Sequence, residues 1–198
     1  MEHGPTTPDG QPLSGWWWRV LAVVVDSLVI WIVNVIATLP VQLEVQREQQ
    51  AYQLDLQERV ARGEQIRFSD FWGPMGEQYA DHVLALVVFP IVLLVCYHAG
   101  MLRWRGATLG KLLCRLRVRP RSADGRLSWD TIGLRLGVQF GPGFVALVLL
   151  VATGSFTWFL LVQVFALLFY AVDSLTALGE RRQTIHDRAA GTVVVRMR

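Results

Sequence analysis

The chain has 198 residues and only two cysteines, Cys96 in an apolar run and Cys114 in a basic one, so no disulfide framework is expected. Acids are scarce where bases are dense. Between residues 103 and 126, Asp124 stands alone against Arg103, Arg105, Lys111, Arg115, Arg117, Arg119, Arg121 and Arg126. No Ser/His/Asp set and no spaced set of metal ligands emerges. The segment GATLGKLL (106–113) is not a phosphate loop: only three residues separate Gly106 from Gly110, and Leu112 stands where a magnesium-binding Ser or Thr belongs. These absences argue against an enzyme and point to no cofactor and no metal. A short signal peptide is missing too. The first apolar run follows a polar leader and lacks a small-residue cleavage site, so it is expected to stay as an anchor.

What is abundant is apolar residues. They make up 53% of the chain, with a mean hydropathy of +0.35, and they cluster into long runs, the pattern of a membrane protein. The net charge of +3 and isoelectric point near 9.2 come from bases placed unevenly. They read as membrane topology, with the lipid bilayer as the partner and no nucleic acid.

Residues 1–15 are dense in Gly and Pro and read as a disordered tail. Trp16, Trp17 and Trp18 open an interfacial aromatic belt, and the first span covers 16–39, longer than the ~20 residues a crossing requires. From 41 to 66 the chain is polar but periodic. Val41, Val45, Tyr52, Leu56 and Val60 fall on one helical face, an amphipathic helix that is either a packed connector or a partner-binding lid. Gly63 and the stretch FSDFWGPMG (68–76), with Phe71 and Trp72 at the interface, end it. The second span covers 82–101, with a kink expected at Pro90 and an interfacial His98 near its end. The loop 102–128 carries the basic block, a short interfacial helix over 106–113 and a strand-like alternation over 114–119, followed by a turn at 122–125. The third span, 129–152, carries Gly133, Gly137 and Gly141 at intervals of four, a face suited to close helix packing. Thr131, Arg135 and Gln139 form the opposite stripe, and Pro142 and Gly143 are expected to bend the helix. The fourth span, 156–178, carries Gln163 and Asp173. The tail 179–198 ends in an alternating, β-branched stretch over 192–197 that could pair with 114–119.

The architecture expected is therefore all-α: a four-span transmembrane helical bundle with an amphipathic extracytoplasmic helix and a small cytoplasmic cap holding a short strand pair. The 102–128 loop and the tail are rich in Arg, whereas the bases of the 41–80 insert are outweighed by acids. That asymmetry puts both termini in the cytoplasm. Charges inside spans cost about 2.5–3.5 kcal/mol each by insertion scales and mark sites or structural pairs. Arg19, Asp26, Arg135 and Asp173 all fall in the inner half of the membrane. Asp26 is too short to snorkel and is expected to pair with Arg19 or Arg135, with Asp173 in the same cluster. The cluster is either a structural ion-pair network or an ion pathway. His186 and Asp187, adjacent in the tail, read as a structural cap.

Three motifs then come in order: RVLAVVVD from Arg19 to Asp26, GATLGKLLCRLRV after the second span, and TIHDRAAGTVV over 184–194. Together they resemble the RDD family of bacterial membrane proteins, named for an arginine and two aspartates. The resemblance covers most of the chain from Trp16 onward except the 41–80 insert. It implies a multi-span protein of the inner membrane for which transport is suggested, without naming a substrate. It makes Arg19 the arginine and Asp26 the first aspartate, while the second maps to Asp173 or to Asp187. Two functions follow: transport of an ion or small solute through the polar cluster, or a non-catalytic membrane subunit that binds or stabilises a partner protein. Four spans leave little room for a solute path within one protomer, which favours a homo-oligomer or the subunit role.

Overall fold

The computed structural model describes residues 5–67, 81–121, 125–153 and 156–197. Four of its helices are long and apolar enough to cross a membrane. Helix α1 (Trp16–Ala61) runs without interruption through Pro40, so the first span and the amphipathic segment are one helix. A π-helical turn (Leu84–Val88) leads into α2 (Phe89–Arg105). The helical run from Leu84 to Arg105 is continuous, and its π-helical turn lies just before Pro90, whose missing N–H interrupts the ladder there. Helix α3 is short (Leu109–Leu113) and precedes strand β1 (Leu116–Pro120). Helices α4 (Trp129–Thr153) and α5 (Phe156–Leu175) follow, then a 3-10 turn, helix α6 (Ile185–Ala189) and strand β2 (Thr192–Arg196). Along the long helices Trp17, Val24, Trp31, Ile36, Leu160 and Leu167 are exposed, an apolar surface suited to lipid and costly in water. The chain is a multi-pass, all-α membrane protein with a small β cap.

Contacts divide it into two compact units, Met1–Leu28 with Val95–Arg198, and Val29–Leu94. In the second unit, the expected amphipathic face is half right. Val45 and Leu56 are buried, but Val60 is 59% exposed. The helix stops at Gly63, whose φ of +80° an L side chain rarely adopts, and Arg59 and Arg62 both bond to Glu64 just beyond. Phe71 and Trp72 lie outside the described residues.

The first unit holds the cap. Strands β1 and β2 pair antiparallel with Val118 opposite Val194, close to the expected pairing. Two strands alone are marginal. Here Leu116, Val118 and Val194 pack into one core with Ala22 of α1, Leu102 of α2, and Ile132 and Leu136 of α4, which supplies the missing apolar support. Instead of a disordered tail, residues 5–14 form a tight turn. Thr7 and Gln11 bond to each other, Leu13 bridges to Val195, and Ser14 N–H donates to Val194. The segment thus covers the outer edge of β2.

The cap is a duplicated element. One constant offset in numbering carries Gly106 to Arg182, Thr108 to Thr184, Arg115 to Gly191 and Val118 to Val194. The two N-capping threonines have the same backbone, φ −73° and ψ 168° at Thr108, φ −72° and ψ 168° at Thr184. The left-handed residues match as well: Gly106 at +68° with Arg182 at +44°, and Arg115 at +55° with Gly191 at +61°. Each strand ends by donating to the left-handed residue of the other copy, Met197 N–H to Arg115 and Arg121 N–H to Gly191. Val118 and Val194, equivalent and paired, lie on the pseudo-two-fold axis.

Candidate functional site

In the second copy, Thr184 and Asp187 form a capping box: Thr184 Oγ1 accepts the Asp187 N–H, and Asp187 Oδ2 accepts the Thr184 N–H. This holds the Asp187 carboxylate at the start of α6, fully buried. Two span-borne arginines reach it. Arg19 of α1 donates to Oδ2 at 2.7 Å, and Arg135 of α4 donates to Oδ1. Arg135 also bonds Thr192 Oγ1 at 2.6 Å, and Arg19 bonds the carbonyl of Arg182 at 2.6 Å. Burial alone would push the Asp187 carboxyl up. Arg135, His186 and Arg19 instead hold it far below the usual carboxylate range.

Beside it, His186 Nδ1 lies 2.6 Å from Asp173 Oδ2 of α5, and its Nε2 lies 3.8 Å from Asp187 Oδ1. The His186 N–H donates to Asp173 Oδ1 at 3.1 Å. Burial, with help from Arg135, lowers the imidazole's affinity for a proton, against the pull of the two acids.

In the first copy the equivalent helix terminus is held differently. Asp26 accepts from Tyr97 OH at 2.6 Å, Thr108 Oγ1 at 2.5 Å and Gly110 N–H at 2.7 Å. Tyr97 OH in turn accepts the Leu109 N–H at 3.0 Å. Asp26 is thus an N-cap supplied to α3 by another helix. Gly110 and His186 are equivalent positions, and each gives its N–H to a span aspartate. The next positions diverge. Lys111 stands where the second copy has Asp187, its ammonium pushed down to about 8 by burial and the nearby Arg135.

The expected pairing of Asp26 with an arginine is corrected: both arginines are committed to Asp187, and hydrogen bonds satisfy Asp26. The cluster brings together Arg19, Arg135 and Asp187, with Asp173 joined through His186. Asp26 forms its own neighbouring set. Sequence reasoning missed Tyr97, Thr108, Gly110 and Thr192. The shared pattern TLGKLLCRL and TIHDRAAGT, which pairs Thr108 with Thr184, was the available signal for Thr108. His98 is buried rather than interfacial, its ring edge-on to Tyr97 and Phe140 at 5.1 Å.

The glycine face of α4 is also corrected. A Cβ on Gly133, Gly137 or Gly141 would meet nothing within 4 Å. The close approaches are elsewhere: at Gly110, which sits on the backbone of Ala22, and at Gly143, whose N–H donates to Tyr170 OH. Among the described residues one set could offer ligands to a metal. Glu44, Glu48 and His82, in the other unit, bring ligand atoms within 4.8 Å of one another. The two carboxylates are exposed, a common arrangement without an ion.

No curated protein and no solved structure matches the chain. The RDD family model matches residues 13–191, a stretch that contains Arg19, Asp26, Arg135, Asp173 and Asp187, and the chain belongs to that family.

Proposed function

We propose that the protein translocates an ion across a bacterial cytoplasmic membrane, with both termini and the cap in the cytoplasm, and that Asp173, His186 and Asp187 are its proton-handling relay. The observation that carries this is an imidazole buried between two carboxylates, 2.6 Å from one and 3.8 Å from the other. A histidine changes charge near neutral pH, and Asp173, the member of the set carried by a span, is an acid of the kind that lines proton and ion pathways. Arg19 and Arg135 keep Asp187 ionised, so it can exchange a proton or cation only when their contacts loosen. The buried acids and bases engage one another rather than an open cleft, which supports a non-enzymatic role. Assembly as a homo-oligomer would supply the path that four spans alone leave narrow.

A second reading is a membrane subunit that stabilises a partner. It is favoured by the commitment of both buried arginines to one carboxylate, which makes the cluster a lock between spans and cap. Flux across proteoliposomes under an imposed pH gradient separates the two. His186→Gln should abolish flux while leaving thermal unfolding nearly unchanged if the relay operates. Lowered stability together with unchanged flux per folded protein would defeat the relay and favour the lock. Orientation is checked by cysteine labelling: positions near Gln50 should react from outside and positions near Arg121 from inside.

A further inference from the structure

On the face of the cap opposite its core, Arg117 and Arg119 project from β1 two residues apart, hence on the same side of the sheet. With Val195 of β2 and the turn residues 9–12 they line a cavity of about 350 Å3. Arg119 is 2% exposed. A guanidinium stays charged at any physiological pH and presents a fork that fits phosphate or carboxylate oxygens. Among the described residues Arg119 pairs with Asp9, from the turn that residues 7–11 form over the sheet. Asp9 is nearly half exposed, and its carboxyl is held down to about 2, first by Arg119 and then by Thr7. Among the described residues, one carboxylate, Asp9, and two arginines, Arg117 and Arg119, share this face of the sheet. Arg196 of β2 lies over the ring of Trp18, 4.7 Å from its centroid, in the first turns of α1. That is the level at which aromatic residues meet lipid headgroups.

We propose that this cavity binds a phosphate-bearing anion through Arg117 and Arg119, and that Asp9 is a tethered carboxylate that occupies Arg119 until the anion displaces it. A phosphate group offers more acceptor oxygens and more charge than a carboxylate. The tether is a turn held by bonds between Thr7 and Gln11, which can open without disturbing the β1–β2 ladder. The chemistry is shared by the headgroup of an anionic phospholipid and by free phosphate. The site is independent of the ion relay and does not use its residues.

The test uses the full-length protein. In neutral detergent, inorganic phosphate is titrated calorimetrically into the wild type, Asp9→Asn and Arg117→Met, with chloride as the control anion. Asp9→Asn removes the internal competitor without emptying the core and should tighten phosphate binding about two- to fivefold, the size of effect a part-exposed ion pair supports. Arg117→Met, at a half-buried position, should weaken it by a similar factor. The second arm compares unfolding temperature in nanodiscs of phosphatidylglycerol and of phosphatidylcholine. A larger stabilisation of Asp9→Asn than of wild type by phosphatidylglycerol, with no heat from inorganic phosphate, assigns the site to a lipid headgroup. Binding of inorganic phosphate in detergent assigns it to a soluble phosphate. Equal affinities in wild type and Asp9→Asn, or no response in either arm, overturn the proposal.

Discussion

Asp26 in α1 accepts the backbone N–H of Gly110 in α3 at 2.7 Å, and a Cβ on Gly110 would stand only 2.9 Å from the carbonyl carbon of Ala22. The two facts depend on each other. Only a residue without a side chain lets the start of α3 come close enough to α1 for a short aspartate to cap it. Asp26→Asn keeps the shape but replaces a charged acceptor with a group that also donates. Hydrogen bonds to charged groups are worth about 1.5–3 kcal/mol, and a loss of that order in detergent unfolding is expected. Tyr97→Phe should cost roughly 1 kcal/mol. A double-mutant cycle of Asp26→Asn with Thr108→Val should show coupling, while the cycle with Arg19→Met should show none. Coupling to Arg19 instead would restore the direct ion pair expected from the sequence.

Glycine positions on the two elements should behave oppositely. Gly110→Ala pushes α3 off the α1 backbone, an overpacking expected to cost about 1–3 kcal/mol or more. Gly137→Leu faces nothing within 4 Å and should change stability by no more than about 0.5 kcal/mol. Melting curves of the two variants decide this. A drop for Gly137→Leu as large as for Gly110→Ala would mean that the α4 glycine face meets another helix after all, as in an assembly of copies.

The charge cluster gives a third expectation. Asp187→Asn leaves two arginines buried without their carboxylate, a change that typically costs about 3–5 kcal/mol. Adding Arg135→Met removes one of the stranded charges and should recover part of that loss. Unfolding of the single and double variants measures it. If the double variant is weaker than the sum of the singles, the arginines have other anionic partners.

The spans, their number and the strand pair were legible because apolar run length and alternation act locally. The family resemblance left the second aspartate at Asp173 or Asp187, and the neighbours His186 and Asp187 read as a structural cap of the tail; the capping box that Asp187 closes with Thr184 was not read. The partner of Asp26 was not legible. It depends on α3 folding back along α1, a tertiary event whose sole sequence mark is a glycine two residues after a threonine. Charge complementarity suggested an arginine. That argument omits the backbone N–H groups of a helix start, which carry partial positive charge without appearing as a charged letter. The glycine repeat in α4 misled for the opposite reason: small residues permit close packing but do not supply the neighbour.

The last expectation concerns pH, and its sign follows from three groups of the cap. His186 binds a proton less readily in the fold than in the unfolded chain, because burial and Arg135 outweigh Asp173 and Asp187. The unfolded chain therefore takes up protons first as pH falls below about 6.5, and stability falls with it. The contribution is complete above that value and is lost as pH drops through the folded one. Asp187 acts in the same direction in a more acidic window. Its folded affinity is depressed by Arg135, His186 and Arg19, so its contribution is present above about 3.9 and is lost below. Lys111, pushed down to about 8, adds a third step of the same sign between there and about 10.4. Unfolding followed against pH in detergent should thus show stability decreasing on acidification in three separated windows. His186→Gln should remove the middle step alone, and Lys111→Met the alkaline one. If the hydrogen bond from His186 to Asp173 dominated over burial, the middle step would reverse and the protein would gain stability as pH fell through 6.5. A curve that rises on acidification in the wild type and flattens in His186→Gln would show that the imidazolium, not the neutral ring, is the form the fold selects.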